Sequence, residues 1–265
     1  MTISYGPYAF GSPFITWAGV FMIVGIAIGG ALFARALARQ EVPRHEACGI
    51  VLFSVFGGLV GARLFHIVDY LDFFTGAPFH IIYLWEGGYS LWGGVLGGLA
   101  AGLWKTGRAG LFRHSMADAA VVPGLLGLAT GRLGGIIGGD PPATESSLPW
   151  AVVYDHPDSF AFASGAAVHP VAAYEMLLSA AIALCMLCCG RRLPQEVTMP
   201  LALAAWAAGR FVIAFVRVDP ATLGLQQAQW VGLIVIAVVA LWAWRSGIWS
   251  RLRARGGDGP TAHSP

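Results

Sequence analysis

The sequence predicts an all-α polytopic membrane protein of about seven transmembrane helices, with the N-terminus outside, the C-terminus cytoplasmic and a long outer loop over 138–168. Three observations lead there. Of 265 residues, 57% are hydrophobic and only 11% charged, with a mean hydropathy of +0.67, whereas a soluble globular chain carries roughly 25% charged residues. Seven apolar segments approach the ~20 residues needed to cross a hydrocarbon core. Lys and Arg fall in alternate links between those segments, as the positive-inside rule requires of a multi-spanning chain. The 36 glycines and 10 tryptophans suit close helix contacts and interfacial anchors.

The segments are 14–34, 47–68, 84–104, 116–137, 169–187, 200–216 and 228–244. Nothing before Arg35 is Lys or Arg, so the first is expected to be a retained helix and not a cleaved signal peptide. Arg35, Arg39 and Arg44 follow the first segment, Lys105, Arg108 and Arg113 the third, Arg191 and Arg192 the fifth, and Arg245, Arg251, Arg253 and Arg255 the seventh. The links 69–85, 138–168 and 219–227 are acidic or neutral and are placed outside. Link 138–168 is too long for a plain connector; its Trp150, Tyr154 and Phe160 are candidates for a lid or arm in the interface. Residues 1–255 form one integral membrane domain by this reading, and 256–265 a disordered cytoplasmic tail. A net charge of +2 gives no basic stripe, so no nucleic-acid partner is expected. Cys48, Cys185, Cys188 and Cys189 lie in or beside apolar runs and read as packing residues.

Topology leaves Arg63, Arg132, Arg210 and Arg217 unexplained, all in or at the outer ends of segments two, four and six. An arginine at a helix centre costs about 2.5–3.5 kcal/mol on insertion scales. Either each pairs with a nearby carboxylate or helix C-terminus, or the group shares an anionic ligand. A lipid phosphate fits, because guanidinium forks phosphate oxygens and keeps its charge.

Around these arginines stand Gly61-Ala62-Arg63-Leu64, then Trp85-Glu86-Gly87-Gly88-Tyr89-Ser90-Leu91-Trp92-Gly93-Gly94, then Gly131-Arg132-Leu133-Gly134-Gly135. His169-Pro170, Tyr174-Glu175, Gly209-Arg210-Phe211 and Arg217-Val218-Asp219-Pro220 follow. Glycines there let backbone and arginine approach a ligand closely, although the same spacing also serves helix packing. His66, three residues after Arg63, shares its helix face. His80, His114 and His156 are scattered, without zinc-site spacing. Ser164-Gly165 near His169 lacks the elbow of a serine hydrolase.

In this order and spacing the set resembles the bacterial prolipoprotein diacylglyceryl transferases, from about Gly61 to Gln229. The resemblance implies a multi-pass protein of the cytoplasmic (inner) membrane with a periplasmic active face. Its reaction would move the diacylglyceryl group of phosphatidylglycerol to the cysteine thiol of a prolipoprotein signal peptide, releasing glycerol phosphate without metal or cofactor. The alternative is the same scaffold serving another acceptor or head group, or binding anionic phospholipid without chemistry. By motif, the catalytic candidates are Arg132, Arg210, His169 and Glu175. The substrate-binding candidates are Arg63, Arg132, Arg217, Gly87, Gly88, Gly93, Gly94, Gly131, Gly134, Tyr174 and Asp140. The chain departs from the family pattern at Trp92, where the family has histidine, and at Gly135 and Gly138, where it has asparagine. Asp140 stands for a glutamate, Ala214 for another, and Ala18 for a tyrosine.

Overall fold

The computed structural model describes residues 1–12, 14–83, 88–161, 165–190, 193–194 and 196–248. Among them are eight helices: α1 (Trp17–Ala38), α2 (Arg44–Asp69), α3 (Leu71–Gly76), α4 (Leu91–Arg108), α5 (Arg113–Gly138), α6 (Val171–Cys189), α7 (Thr198–Ala214) and α8 (Gln227–Arg245). Five of them, α1, α2, α5, α6 and α8, are long and apolar enough to cross a membrane, and α7 is a shorter apolar helix. The chain is a mostly helical, polytopic membrane protein.

Each expected segment overlaps one helix. The largest shift is at α4, which begins at Leu91 and not at 84. Gly88 takes φ +76° and Ser90 is extended, so the chain enters the helix late. The preceding link folds in part into α3 and a 3₁₀ turn over Pro78–Ile81. Gly87, Arg191, Arg192 and the tail 256–265 lie outside the described residues.

Two glycine seams join the helices in pairs. A Cβ on Gly25 of α1 would sit 2.4 Å from the Gly127 carbonyl oxygen of α5. On the other pair, a Cβ on Gly61 of α2 would sit 2.4 Å from the Gly93 oxygen of α4, and one on Gly93 2.2 Å from the Gly61 oxygen. Backbones approach this closely only where side chains are missing, and dispersion and weak Cα–H contacts then replace the hydrophobic effect that lipid does not supply. A separate core of Trp92, Val121, Leu125, Ile182, Ala183, Met186, Ala202, Trp206, Ala207 and Val235 ties α4 to α8 through α5, α6 and α7.

One end of the bundle carries a small sheet. Strand β1 (Thr2–Ile3) pairs in parallel with β2 (Val152–Tyr154), which pairs antiparallel with β3 (Ala167–Val168). Strands β4 (Ala221–Thr222) and β5 (Leu225–Gln226) form a hairpin between α7 and α8. Strands this short carry no periodicity a sequence reading can detect. They change the picture of 138–168: the segment is pinned and Tyr154 is buried, its hydroxyl donating to the Ile136 carbonyl at 2.9 Å. Burial pushes the Tyr154 phenol up to about 12. Phe160 meets Tyr8 edge-on at 6.2 Å, while Trp150 stays exposed. The four cysteines are exposed and unbridged, not packed in the core. A helix that is apolar all round has a lipid-facing side, so an apolar run does not place a thiol inside.

Candidate active site

The sheet end of the bundle gathers three of the four arginines on one carboxylate. Glu175 stands in the second turn of α6 and is 2% exposed. Its Oε2 takes Arg132 Nε from α5 at 2.6 Å. Its Oε1 takes Arg217 Nη1 at 3.0 Å and also meets Arg210 Nη1 from α7. Arg217 follows α7 directly and is fixed by its own backbone: Ala143 bridges to it, and Val218 N–H donates to the Pro142 carbonyl at 3.1 Å. Its guanidinium is forked by Asp219, with Nε–Oδ2 at 2.5 Å and Nη2–Oδ1 at 3.2 Å. These five contacting side chains set three positive charges against two negative ones, a formal surplus of one positive charge. A buried cluster with unbalanced positive charge favours an arriving anion.

Arg63 lies apart from that cluster. It is 7% exposed, and among the described residues it donates to four backbone carbonyls: Nε to Ile81 at 3.2 Å, Nη1 to Gly88 at 3.2 Å, and Nη2 to Tyr83 at 3.3 Å and to His80. Its Cζ also lies 5.3 Å from the Phe74 ring centroid. Arg63 thus ties residues 80–83 and Gly88 against α2. Gly88 belongs here, since a Cβ on it would lie 2.4 Å from His66 Nε2 and 3.0 Å from Arg63 Nη1.

His169 and Tyr174 form another group. Tyr174 OH accepts from Trp150 Nε1 at 2.8 Å and lies 3.3 Å from His169 Nδ1. Asp140 shares with His169 a cavity of about 10 Å³, lined also by Gly135, Tyr154 and Ala172, about the room one water needs. Gly93 sits in the α2–α4 seam. A Cβ on Gly134 would lie 2.1 Å from the Trp17 carbonyl oxygen of α1. Around Gly94 and Gly131 the nearest such contacts are an ordinary 3.7 Å.

The family model for prolipoprotein diacylglyceryl transferase matches residues 7–245. Proteins named phosphatidylglycerol–prolipoprotein diacylglyceryl transferase are similar over most of the chain. The one from Nitratidesulfovibrio vulgaris is 31% identical over 270 residues, covering 99% of this chain and 96% of its own length. One from Dehalococcoides mccartyi is 31% identical over 242 residues, covering 89% and 92%. One from Frankia alni is 32% identical over 232 residues, covering 84% of this chain but 61% of that longer protein. The chain belongs to the prolipoprotein diacylglyceryl transferase family.

Within this transferase family the chain's departures have structural consequences. Trp92 is 1% exposed, donates Nε1–H to the Ala228 carbonyl at 3.1 Å, and stacks edge-on against Trp206 at 4.8 Å. An indole so bound has no lone pair to receive a proton. At Gly135 even a Cβ would lie 2.2 Å from the Asp140 carbonyl oxygen and 3.1 Å from Ala172 Cβ, so an asparagine does not fit this backbone. Gly138 is closed by Pro7 at 3.3 Å, and Ala214 is fully buried. Sequence reasoning missed Asp219 as a site group although it had quoted the Arg217-Val218-Asp219-Pro220 run; the offset of two residues was the available signal.

Proposed function

We propose that the chain transfers the diacylglyceryl group of phosphatidylglycerol to the cysteine thiol of a prolipoprotein signal peptide, at the outer face of the bacterial cytoplasmic membrane. The observation that carries this reading is the convergence of Arg132, Arg210 and Arg217 on Glu175 with positive charge to spare. In the reaction, the thiolate sulfur attacks the glycerol carbon that bears the phosphate ester. The C–S bond forms as the C–O bond breaks, and the electron pair leaves on the phosphate oxygen of glycerol phosphate. Arg132 and Arg210 stabilise that developing charge in a site shielded from water. Glu175 holds the arginines and is too committed to them to deprotonate the thiol. His169, half-buried beside Tyr174, is the group left to take the thiol proton. No metal or diffusible cofactor enters the scheme.

The closed space at Gly135 and the bound indole of Trp92 support a second reading, the same phospholipid chemistry with a different acceptor. One experiment separates the two. Membranes containing the protein are given phosphatidylglycerol and a synthetic signal peptide with one cysteine, and products are read by mass spectrometry. The expected result is a diacylglyceryl thioether on the peptide that is lost, by about a hundredfold or more, in Arg132→Ala. Consumption of phosphatidylglycerol without a peptide adduct favours the second reading, and full activity of Arg132→Ala overturns the assigned arginine role.

A further inference from the structure

Glu175 and Ser179 are one turn apart on α6, as are Trp206 and Arg210 on α7. The two helices therefore meet in two rungs. Glu175 takes Arg210 in the first, and in the second Trp206 Nε1 donates to Ser179 Oγ at 3.3 Å. Trp206 also lies under the arginine of the neighbouring rung, with Arg210 Cζ 5.7 Å from its ring centroid, inside the range where an aromatic face attracts a cation. The two guanidiniums at this end of α7 are held differently. Arg217 is gripped at Nε, Nη1 and Nη2 by two carboxylates. Arg210 is 4% exposed, meets Glu175 through Nη1 as an ion pair, and neither Nη1 nor Nε makes a hydrogen bond among the described residues. One carboxylate leaves a planar guanidinium free to swing about that contact; an aromatic face stacked beneath it removes the freedom.

Trp206 is itself fixed. Trp92 from α4 meets it edge-to-face, centroids 4.8 Å apart and planes at 72°, and Trp92 is anchored on the Ala228 carbonyl of α8. Both indoles are buried, at 1% and 3% exposure.

We propose that Trp206 is a positioning residue that aims Arg210 at its anionic partner, and that Trp92 is the strut behind it. In this chain the position where the family carries histidine sets an arginine's orientation and moves no proton. The inference rests on the reading of Arg210 as the partner of a phospholipid phosphate.

The test uses the full-length protein, with phosphatidylglycerol affinity measured by native mass spectrometry, kcat and KM of peptide transfer measured alongside, and melting temperature as the check on folding. Trp206→Phe keeps a flat ring over the guanidinium, whereas Trp206→Leu keeps apolar bulk without one. Affinity and kcat in Trp206→Phe are expected to stay within about threefold of the unaltered protein, and in Trp206→Leu to fall about tenfold or more at a melting temperature like that of Trp206→Phe. Trp92→Phe is expected to rank above Trp92→His, because the strut needs a ring edge and not a base. Equal behaviour of Trp206→Leu and Trp206→Phe overturns the proposal, and so does a gain of transfer in Trp92→His. If the unaltered protein binds phosphatidylglycerol but forms no peptide adduct, the transfer reading fails while the ranking of these variants in affinity still decides the positioning role.

Discussion

Arg63 on α2 and Arg210 on α7 are buried to nearly the same degree, at 7% and 4% exposure, yet they are satisfied in opposite ways. Arg63 gives its N–H groups to the carbonyls of His80, Ile81, Tyr83 and Gly88. Arg210 shares a single carboxylate with Arg132 and Arg217, and its Nε has no hydrogen-bond partner among the described residues. Four carbonyl partners drawn from residues 80–88 shape the chain around the Arg63 guanidinium, which is the work of a staple. Three guanidiniums share one carboxylate, with Asp219 the other carboxylate in contact among the described residues, and this is the arrangement proposed above to receive a phosphate. Burial of an arginine is thus a poor guide to its role, and the kind of oxygen it faces is a better one.

Removing the shared carboxylate should break the cluster most severely. Glu175→Gln keeps the shape and deletes the charge, leaving three mutually repelling cations in place. Loss of one partner of a buried ion pair costs about 3–5 kcal/mol, so the variant should unfold at markedly lower temperature or denaturant and lose transfer. A variant that melts like the unaltered protein would show that the arginines draw their compensation from elsewhere.

The same manipulation at the other arginine should act locally. Arg63→Lys retains charge but not the fork, and the bonds lost to a charged donor are worth about 1.5–3 kcal/mol. Hydrogen exchange over residues 77–83 should quicken, while transfer stays within about tenfold because the 132–175–210–217 cluster is untouched. If transfer collapses with exchange unchanged, Arg63 belongs with the substrate-binding arginines and the contrast between the two sites falls.

Much of this was readable from residues and much was not, for physical reasons. Five of the seven expected segments become helices long and apolar enough to cross a membrane, as apolar length alone predicts, and Gly88 accounts for the late start of α4. The four arginines look alike in sequence, since each sits near a helix end and three of them follow a glycine by one or two residues; only the fold separates Arg63, facing a folded-back link, from the three that face α6. The glycine motifs were ambiguous because a phosphate cradle and a helix seam both require a missing side chain. At Gly61 and Gly93 the neighbour is the partner helix's carbonyl oxygen, within 2.4 Å of a would-be Cβ. The sheet was invisible because its strands are two and three residues long and join Thr2–Ile3 to Val153–Tyr154, far along the chain. Trp206 carried no signal in the sequence at all, because an aromatic residue in an apolar helix is most often packing.

The smallest expected effect is the most informative about charge. Asp219 is partly exposed, at 26% of its side chain, and its pair with Arg217 is therefore screened. Asp219→Asn preserves an acceptor oxygen for Arg217 but raises the formal surplus of the cluster from one positive charge to two. A pair of this exposure is worth about 0.2–1 kcal/mol, so phosphatidylglycerol should bind up to about fivefold more tightly. The gain should shrink as salt is added. Binding that weakens at every ionic strength would mean that Asp219 acts chiefly by aiming the Arg217 fork, in which case orientation outweighs charge at this arginine as it is proposed to at Arg210.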